Sequence, residues 1–314
     1  MKRIVLGYSG GLATTVAIPW LAETHRAQVV AVTIDLGQGG ELEAIRDRAL
    51  AAGAVRAHVL DVRDGFGRDY ITPALLAGAL GRASTIAALQ TPMIAKTLVE
   101  IVAIEQASAV AHCADASGSR ALATALTALN PATAIVTPLM DWTMTADEQM
   151  EYARRHNVVG VNTVAETERS PVKAAEHCPD EPASVDIRIE RGVPVAINSI
   201  EMPLVDLMAT LGTIANAHGV ADPLVTLQAA HDDLQRLTAD ADVDRVAGMV
   251  AREYADLIQS GRWFSPLRHA LDQFVASLQQ RVTGVVSLKL WKGTVETVSR
   301  QEGGPKHLPL LAVR

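Results

Sequence analysis

Apolar positions follow two rhythms along the first half of the chain. Short strand-like runs, largely apolar, lie at residues 4–6, 29–34, 57–62, 109–112 and 134–138, and the run at 4–6 suits a strand covered on both faces. Between them, residues 14–23, 42–52, 71–79, 91–106 and 120–129 carry helix-length patterns. Short apolar strands alternating with such helices predict a doubly wound α/β domain, a parallel sheet with helices on both faces. Ligands of such sheets sit beyond the carboxyl ends of the strands, near the topological switch point. Three turns fall there: Ser9-Gly10-Gly11, Asp35-Leu36-Gly37-Gln38 and His112-Cys113-Ala114-Asp115. Pro19 lies far enough into the first helix to predict a kink or an opened hydrogen bond.

The second half changes rhythm. Thr145-Ala146-Asp147-Glu148 reads as a capping box opening a helix that ends near Asn157. Residues 160–181, with two prolines, many charges and little periodicity, read as a linker. Residues 185–189 and 193–197 alternate around Arg191-Gly192, which predicts a hairpin. Helical runs follow at 204–218, 224–238, 243–260 and 266–282, and 284–292 alternates as a closing strand. The chain therefore divides into a nucleotide-binding-type α/β domain at 1–165 and a smaller α+β domain at 166–314.

Composition narrows the setting. With 314 residues, 49% hydrophobic and 20% charged, the chain has ample material for a buried core. No apolar run is read as approaching the ~20 residues that span a membrane, and Met1-Lys2-Arg3 leads directly into a strand rather than a signal peptide. Two cysteines, Cys113 and Cys178, fit a reducing cytoplasm. A net charge of −7 and 4% aromatics disfavour a nucleic-acid surface. The expectation is a cytoplasmic protein with a small-molecule substrate, no nucleic-acid or membrane partner and no structural metal. His177-Cys178 has no spaced partners of the kind that bind zinc.

The opening turn carries the sharpest chemistry. Gly7, Tyr8, Ser9, Gly10, Gly11 and Leu12 end a strand and start a helix, so that backbone N–H groups and the positive helix end face an anion. Thr14 and Thr15 add hydroxyls. This Ser-Gly-Gly-Leu-x-Thr loop resembles the pyrophosphate loop of ATP pyrophosphatases (adenine nucleotide α-hydrolase-like folds), which split ATP into AMP and pyrophosphate. Where those loops carry Asp, this chain has Ala13. Further landmarks extend the likeness collinearly over nearly the whole chain: Asp35-Leu36-Gly37-Gln38, Pro92-Met93-Ile94-Ala95-Lys96, Ala128-Leu129-Asn130-Pro131, Gly192-Val193-Pro194-Val195, Trp263-Phe264-Ser265-Pro266-Leu267 and Val282-Thr283-Gly284. Together they resemble the argininosuccinate synthase family, which activates citrulline as an adenylate and lets aspartate displace AMP.

The resemblance implies ATP, with magnesium, as co-substrate. Thr33, Ile34 and Asp35 would border adenine and ribose, and Cys113 would lie against the nucleotide. It also shows what has changed. The family's substrate tyrosine aligns with Ala83, a nearby hydroxyl residue with Ala87, and an arginine with Thr91. A substrate-binding segment is missing around 168–181, and another after Gly219-Val220. In the family's aspartate-binding loop, Asp115 replaces threonine, Ser119 asparagine, Arg120 an acid and Ala123 an arginine. Asp115 would repel a carboxylate. Asp115 and Arg120 would pair with each other or read a neutral or cationic co-substrate. Cys113 fills space behind its strand or acts as a nucleophile with a pKa lowered by Arg120. His112 reads as a hydrogen-bonded structural residue, and Trp263, Phe264 and Pro266 as a packing anchor of the second domain. Two functions follow: an AMP-forming ligase or adenylating enzyme on another small metabolite, or a non-catalytic nucleotide- or phosphate-binding paralogue acting as subunit or regulator. The family's assembly implies a homo-oligomer, dimer or tetramer.

Overall fold

The computed structural model describes residues 2–156, 158, 177–220 and 222–303. These fall into two compact units. The first draws on Met1–Phe66, Ala87–Pro171 and Asp256–Arg268, the second on Gly67–Ile86, Val172–Ala255 and His269–Arg314.

The first unit is built on a five-stranded, all-parallel sheet. Its strands are β1 (Arg3–Gly7), β2 (Gln28–Asp35), β3 (Arg56–Asp61), β4 (Ala109–Ala111) and β5 (Ala134–Val136), in the order β3-β2-β1-β4-β5. Its principal helices are α1 (Leu12–His25), α2 (Leu42–Ala51) and, after the short α3 (Arg63–Phe66), the long α6 (Gln90–Glu105), while α4 (Thr72–Leu76) and most of α5 (Ala83–Ala88) fall in the second unit. Then come α7 (Ala116–Leu129), the short α8 (Pro138–Asp141) and α9 (Ala146–Arg155). Alternate strand residues face opposite layers. Ile4, Leu6, Val29, Ala31, Ala109 and Ala111 pack with α1, α2 and α9, whereas Val5, Val30, Val32 and Val110 pack with α6 and α7. The central strands β1, β2 and β4 are covered on both faces, which is why they read as nearly continuous apolar runs.

Several sequence expectations are refined. α1 runs through Pro19 without interruption. The proline therefore removes one backbone donor but does not end the helix. The helix expected over 71–79 is instead a π-helical turn at Gly67–Ile71 followed by α4, which stops before Gly78 at φ +75°. The capping box at Thr145 and Glu148 is present, with Thr145 N–H donating to Glu148 Oε2 at 2.7 Å. α9 ends at Arg155, and most of the expected linker lies outside the described residues. One stretch, Ala83–Glu105, is apolar and long enough to cross a membrane, at 23 residues and mean hydropathy 1.4, against the expectation of none. Its α6 portion buries Ala95, Leu98, Ile101 and Val102 against the sheet and serves as a core helix.

At the amino end of this sheet, far from the strand ends that form the site, Glu105 is almost fully buried. Its carboxylate takes Arg56 at 3.0 Å, His58 at 2.9 Å and Arg3 at 3.4 Å. Burial alone would raise its pKa, but the hydrogen bonds from His58 and Arg56 prevail and hold it below the ordinary carboxylate value.

The second unit holds an antiparallel sheet of β6 (Ala183–Glu190), β7 (Val193–Ile197), β8 (Ile200–Glu201), β9 (Gly284–Trp291) and β10 (Thr294–Glu302), ordered β10-β9-β6-β7-β8. The β6–β7 turn places Arg191 at φ 49° and Gly192 at φ 81°. Two positive φ angles match the twist of a two-residue hairpin. α10 (Leu204–Ala217) covers β7, and α11 (Pro223–Thr238) covers β9 and β10. The run at 284–292 closes nothing. β9 is flanked by β6 and by β10, an edge strand whose polar sequence hid it. The remaining helices are α12 (Ala241–Gln259) and α13 (Pro266–Gln279). Trp263 and Phe264 belong to the first unit, where Phe264 packs on the α6–α7 layer, so they do not anchor the second.

Candidate functional site

β1 is flanked by β2 and β4, and its exit leads to α1 on one face while the exit of β4 leads to α7 on the other. The switch point therefore lies between β1 and β4, and the crevice beyond their carboxyl ends is where such sheets bind ligands. The structure brings together there the Gly7–Thr15 turn, the end of β2 and the end of β4. Cys113 Sγ donates to Ala13 O at 3.7 Å, which ties the β4 exit to the start of α1.

The turn is rigid for identifiable reasons. Gly10 sits at φ +82°, and Arg48 Nη1 on α2 donates to its carbonyl at 2.8 Å. Gly11, at φ −74° and ψ 168°, is the N-cap of α1 and offers no side-chain cap. The first turn of α1 contains no acid. The helix thus presents backbone N–H groups with no side-chain cap and no acid in its own first turn, an arrangement that favours an anion. The hydroxyls do not point outward as expected. Thr15 is fully buried, donating to Gly11 O at 2.8 Å and bonded to Tyr8 Oη at 3.0 Å. Thr14 Oγ1 donates to Gly11 O at 3.1 Å and lies 3.3 Å from Ser9 Oγ. Leu12 packs into the α1 layer and Gly7 faces Leu98.

At the end of β2, Thr33 and Asp35 are buried and Ile34 leans on the α6–α7 layer. Asp35 Oδ1 accepts from Gly37 N at 2.8 Å, and Oδ2 lies 3.6 Å from Arg63 Nε. Arg63 also clamps Asp61 through 2.9 and 2.6 Å contacts, holding that carboxyl down to about 2. Arg48 and Arg63 escaped the sequence reading because each lies on a helix with no motif of its own and reaches the site only through the fold.

At the end of β4, His112 is buried, and burial pushes its pKa down, so the ring is neutral. Its Nδ1 accepts from Ala114 N at 3.4 Å, which assigns the proton to Nε2. Nε2 has no partner among the described residues. Cys113 differs from the nucleophile alternative. Burial raises its thiol to about 12, well away from the thiolate that Arg120 was expected to favour.

α7 contrasts with α1. Asp115 is its N-cap, and Oδ1 accepts from Ser117 N at 3.0 Å, Gly118 N at 2.8 Å and Ser117 Oγ at 2.8 Å. The Gly118 and Ser117 hydrogen bonds hold its carboxyl below the usual range. Arg120 acts on it through its field without a direct ion pair among the described residues. A helix end that could have met a ligand carboxylate is met by the chain's own. Ser119 is half-buried and Arg120 exposed on α7, while Ala87 is exposed and Thr91 half-buried in the same unit. Ala83 belongs to the second unit, and the segment around 168–176 lies outside the described residues. Among the described residues, no group of three His, Cys, Asp or Glu side chains is placed to hold a metal.

Comparison with known proteins extends this geometry. The sequence model of the "Arginosuccinate synthase N-terminal HUP domain" matches residues 3–159. That of the "Arginosuccinate synthase C-terminal domain" matches residues 162–223 and 221–305. The argininosuccinate synthase of Oceanobacillus iheyensis is 32% identical, covering 96% of this chain and 84% of that protein. That of Rubrobacter xylanophilus is 36% identical, covering 95% and 85%. Among solved structures, the NAD+ synthetase of Burkholderia pseudomallei covers 75% of this chain and 81% of its own at 17% identity and TM-score 0.35, too loose a likeness to carry an argument.

Proposed function

The chain belongs to the argininosuccinate synthase family, a family of ATP-dependent ligases, and from that premise we propose that it is an AMP-forming ligase or adenylating enzyme acting on a small metabolite other than the citrulline–aspartate pair. The observation that carries the reading is the contrast between the two helices at the switch point. α1 is uncapped and free of acids in its first turn, whereas α7 is capped by Asp115. Backbone donors at α1 would hold the β- and γ-phosphates of ATP and stabilise the charge that develops on pyrophosphate as it leaves. Thr33, Ile34 and Asp35 would border the adenosine. At α7 the ionised Asp115 disfavours a dicarboxylate as second substrate and favours a neutral or cationic nucleophile.

The inward-turned Thr14 and Thr15 hydroxyls, together with Ala13, support a second reading in which the nucleotide is bound without turnover. Calorimetric titration of ATP, followed by pyrophosphate release across a panel of small metabolites, tests both. Binding with metabolite-dependent release supports the ligase, and binding with no release on any metabolite supports the non-catalytic reading. No heat at millimolar ATP refutes both. Argininosuccinate formation by the native chain would overturn the altered-substrate assignment.

A further inference from the structure

Magnesium is a hard cation that takes oxygen ligands, usually one or two carboxylates together with phosphate oxygens of the ligand. The donor set of the Ser9–Thr15 turn does not fit that requirement. Position 13 is alanine, and the first turn of α1 has no acid. The Gly10 and Gly11 carbonyls and the hydroxyls of the turn already have partners within the protein. Gly10 O accepts from Arg48 at 2.8 Å. Gly11 O accepts from Thr15 N at 3.0 Å, Thr15 Oγ1 at 2.8 Å and Thr14 Oγ1 at 3.1 Å. Ser9 Oγ is joined to Thr14 Oγ1, and Tyr8 Oη to Thr15 Oγ1. On the neighbouring strand end, Asp35 is divided between Gly37 N and Arg63. Asp115 stands at the head of a different helix, α7, with Oδ1 taking three hydrogen bonds. What the turn still offers is N–H donors, and these recognise an anion but not a cation.

We infer that the Ser9–Thr15 turn binds a phosphate or pyrophosphate group through its N–H donors alone, with no divalent cation held by the protein. The inference rests on the nucleotide-site reading above. A cation arriving on the ligand would stay coordinated by phosphate and water. Arg48 acts here as a positioning residue: by engaging Gly10 O it keeps that peptide from turning its carbonyl toward the crevice as a metal ligand.

The test is calorimetric titration of sodium pyrophosphate into the full chain, in buffer with magnesium and in buffer with EDTA. The native affinities are expected to agree within about threefold. In Ala13→Asp, magnesium-free binding should weaken by about tenfold or more, because a negative charge is added to the first turn of the helix whose N–H groups attract the anion, and magnesium should restore it. Ala13→Asn, of similar size but neutral, should remain indifferent to magnesium, and it separates charge from bulk if the aspartate variant folds poorly. Native binding that requires magnesium, or an Ala13→Asp variant as indifferent as the native chain, overturns the inference and leaves the nucleotide-site reading standing. Absence of binding in both buffers overturns that reading and this inference with it.

Discussion

Gly10 and Gly11 are adjacent, yet alanine should be costly at the first and nearly neutral at the second. At Gly10 the backbone is left-handed, φ +82°. A Cβ there would stand 3.1 and 3.3 Å from Ile45 carbons and 3.2 Å from Arg48 Nη1. The left-handed conformation costs an L-residue about 1–2 kcal/mol. Displacing Ile45 and Arg48 adds to this, and the smaller unfolded-state entropy of alanine returns roughly 0.5 kcal/mol. The net expectation for Gly10→Ala is a loss of about 2 kcal/mol. At Gly11 the backbone is extended, and a Cβ would meet only Ser9 Oγ at 3.6 Å, an ordinary contact. There the entropic gain and the poorer N-cap preference of alanine nearly cancel, so Gly11→Ala should lie within about 0.5 kcal/mol of native. Urea denaturation reads the stabilities, and pyrophosphate titration reads the turn. Gly10→Ala should lose both stability and affinity, because the carbonyl that Arg48 engages must shift. Equal stabilities for the two variants, or a neutral Gly10→Ala, would refute the account of how this turn is held.

The same structure fixes expectations at three further positions. Cys113, half-buried and with its thiol raised to about 12, should react with a disulfide reagent at pH 8 far more slowly in the folded chain than after urea, and rapid native labelling would contradict the raised pKa. Glu105→Gln should cost about 2 kcal/mol, because charge-assisted hydrogen bonds from Arg3, Arg56 and His58 are weakened. Its folded pKa is depressed from 4.5, so its stabilisation is complete above that value and disappears as pH falls through the lower folded pKa. A Gln variant with the same acid denaturation profile as native would exclude the clasp. Gly261→Ala, at φ +73° with its Cβ driven into the Ala121 carbonyl, should be destabilised by about 3 kcal/mol or more in urea.

Much of the fold was legible because local pattern and burial agree. The unbroken runs around Val5, Val30 and Val110 exist because helices cover both faces of the sheet, and the Thr145–Glu148 capping box forms from four consecutive residues. β10 was missed because an exposed edge strand needs no apolar pattern: Thr294, Glu296, Arg300 and Glu302 face solvent. The π-helical turn at Gly67–Ile71 likewise has no signature in hydrophobic spacing. At the site, the glycine turn and the departures at Ala13 and Asp115 were visible as residue types. Their consequences were not.

By itself, the sequence determined the alternation that forces a parallel sheet, the position of the glycine turn at a strand–helix junction, and family membership through collinear motifs. These depend on residues near one another along the chain, or on patterns of burial that composition records directly. Only the tertiary structure decided that Thr14 and Thr15 turn inward, that Arg48 holds Gly10 from a helix 38 residues away, that Asp115 caps α7 and that Cys113 stays protonated. Each of those is a choice among hydrogen-bond partners or dielectric surroundings. Such choices are settled by which groups the fold brings within about 3 Å, and residue order alone does not encode that distance.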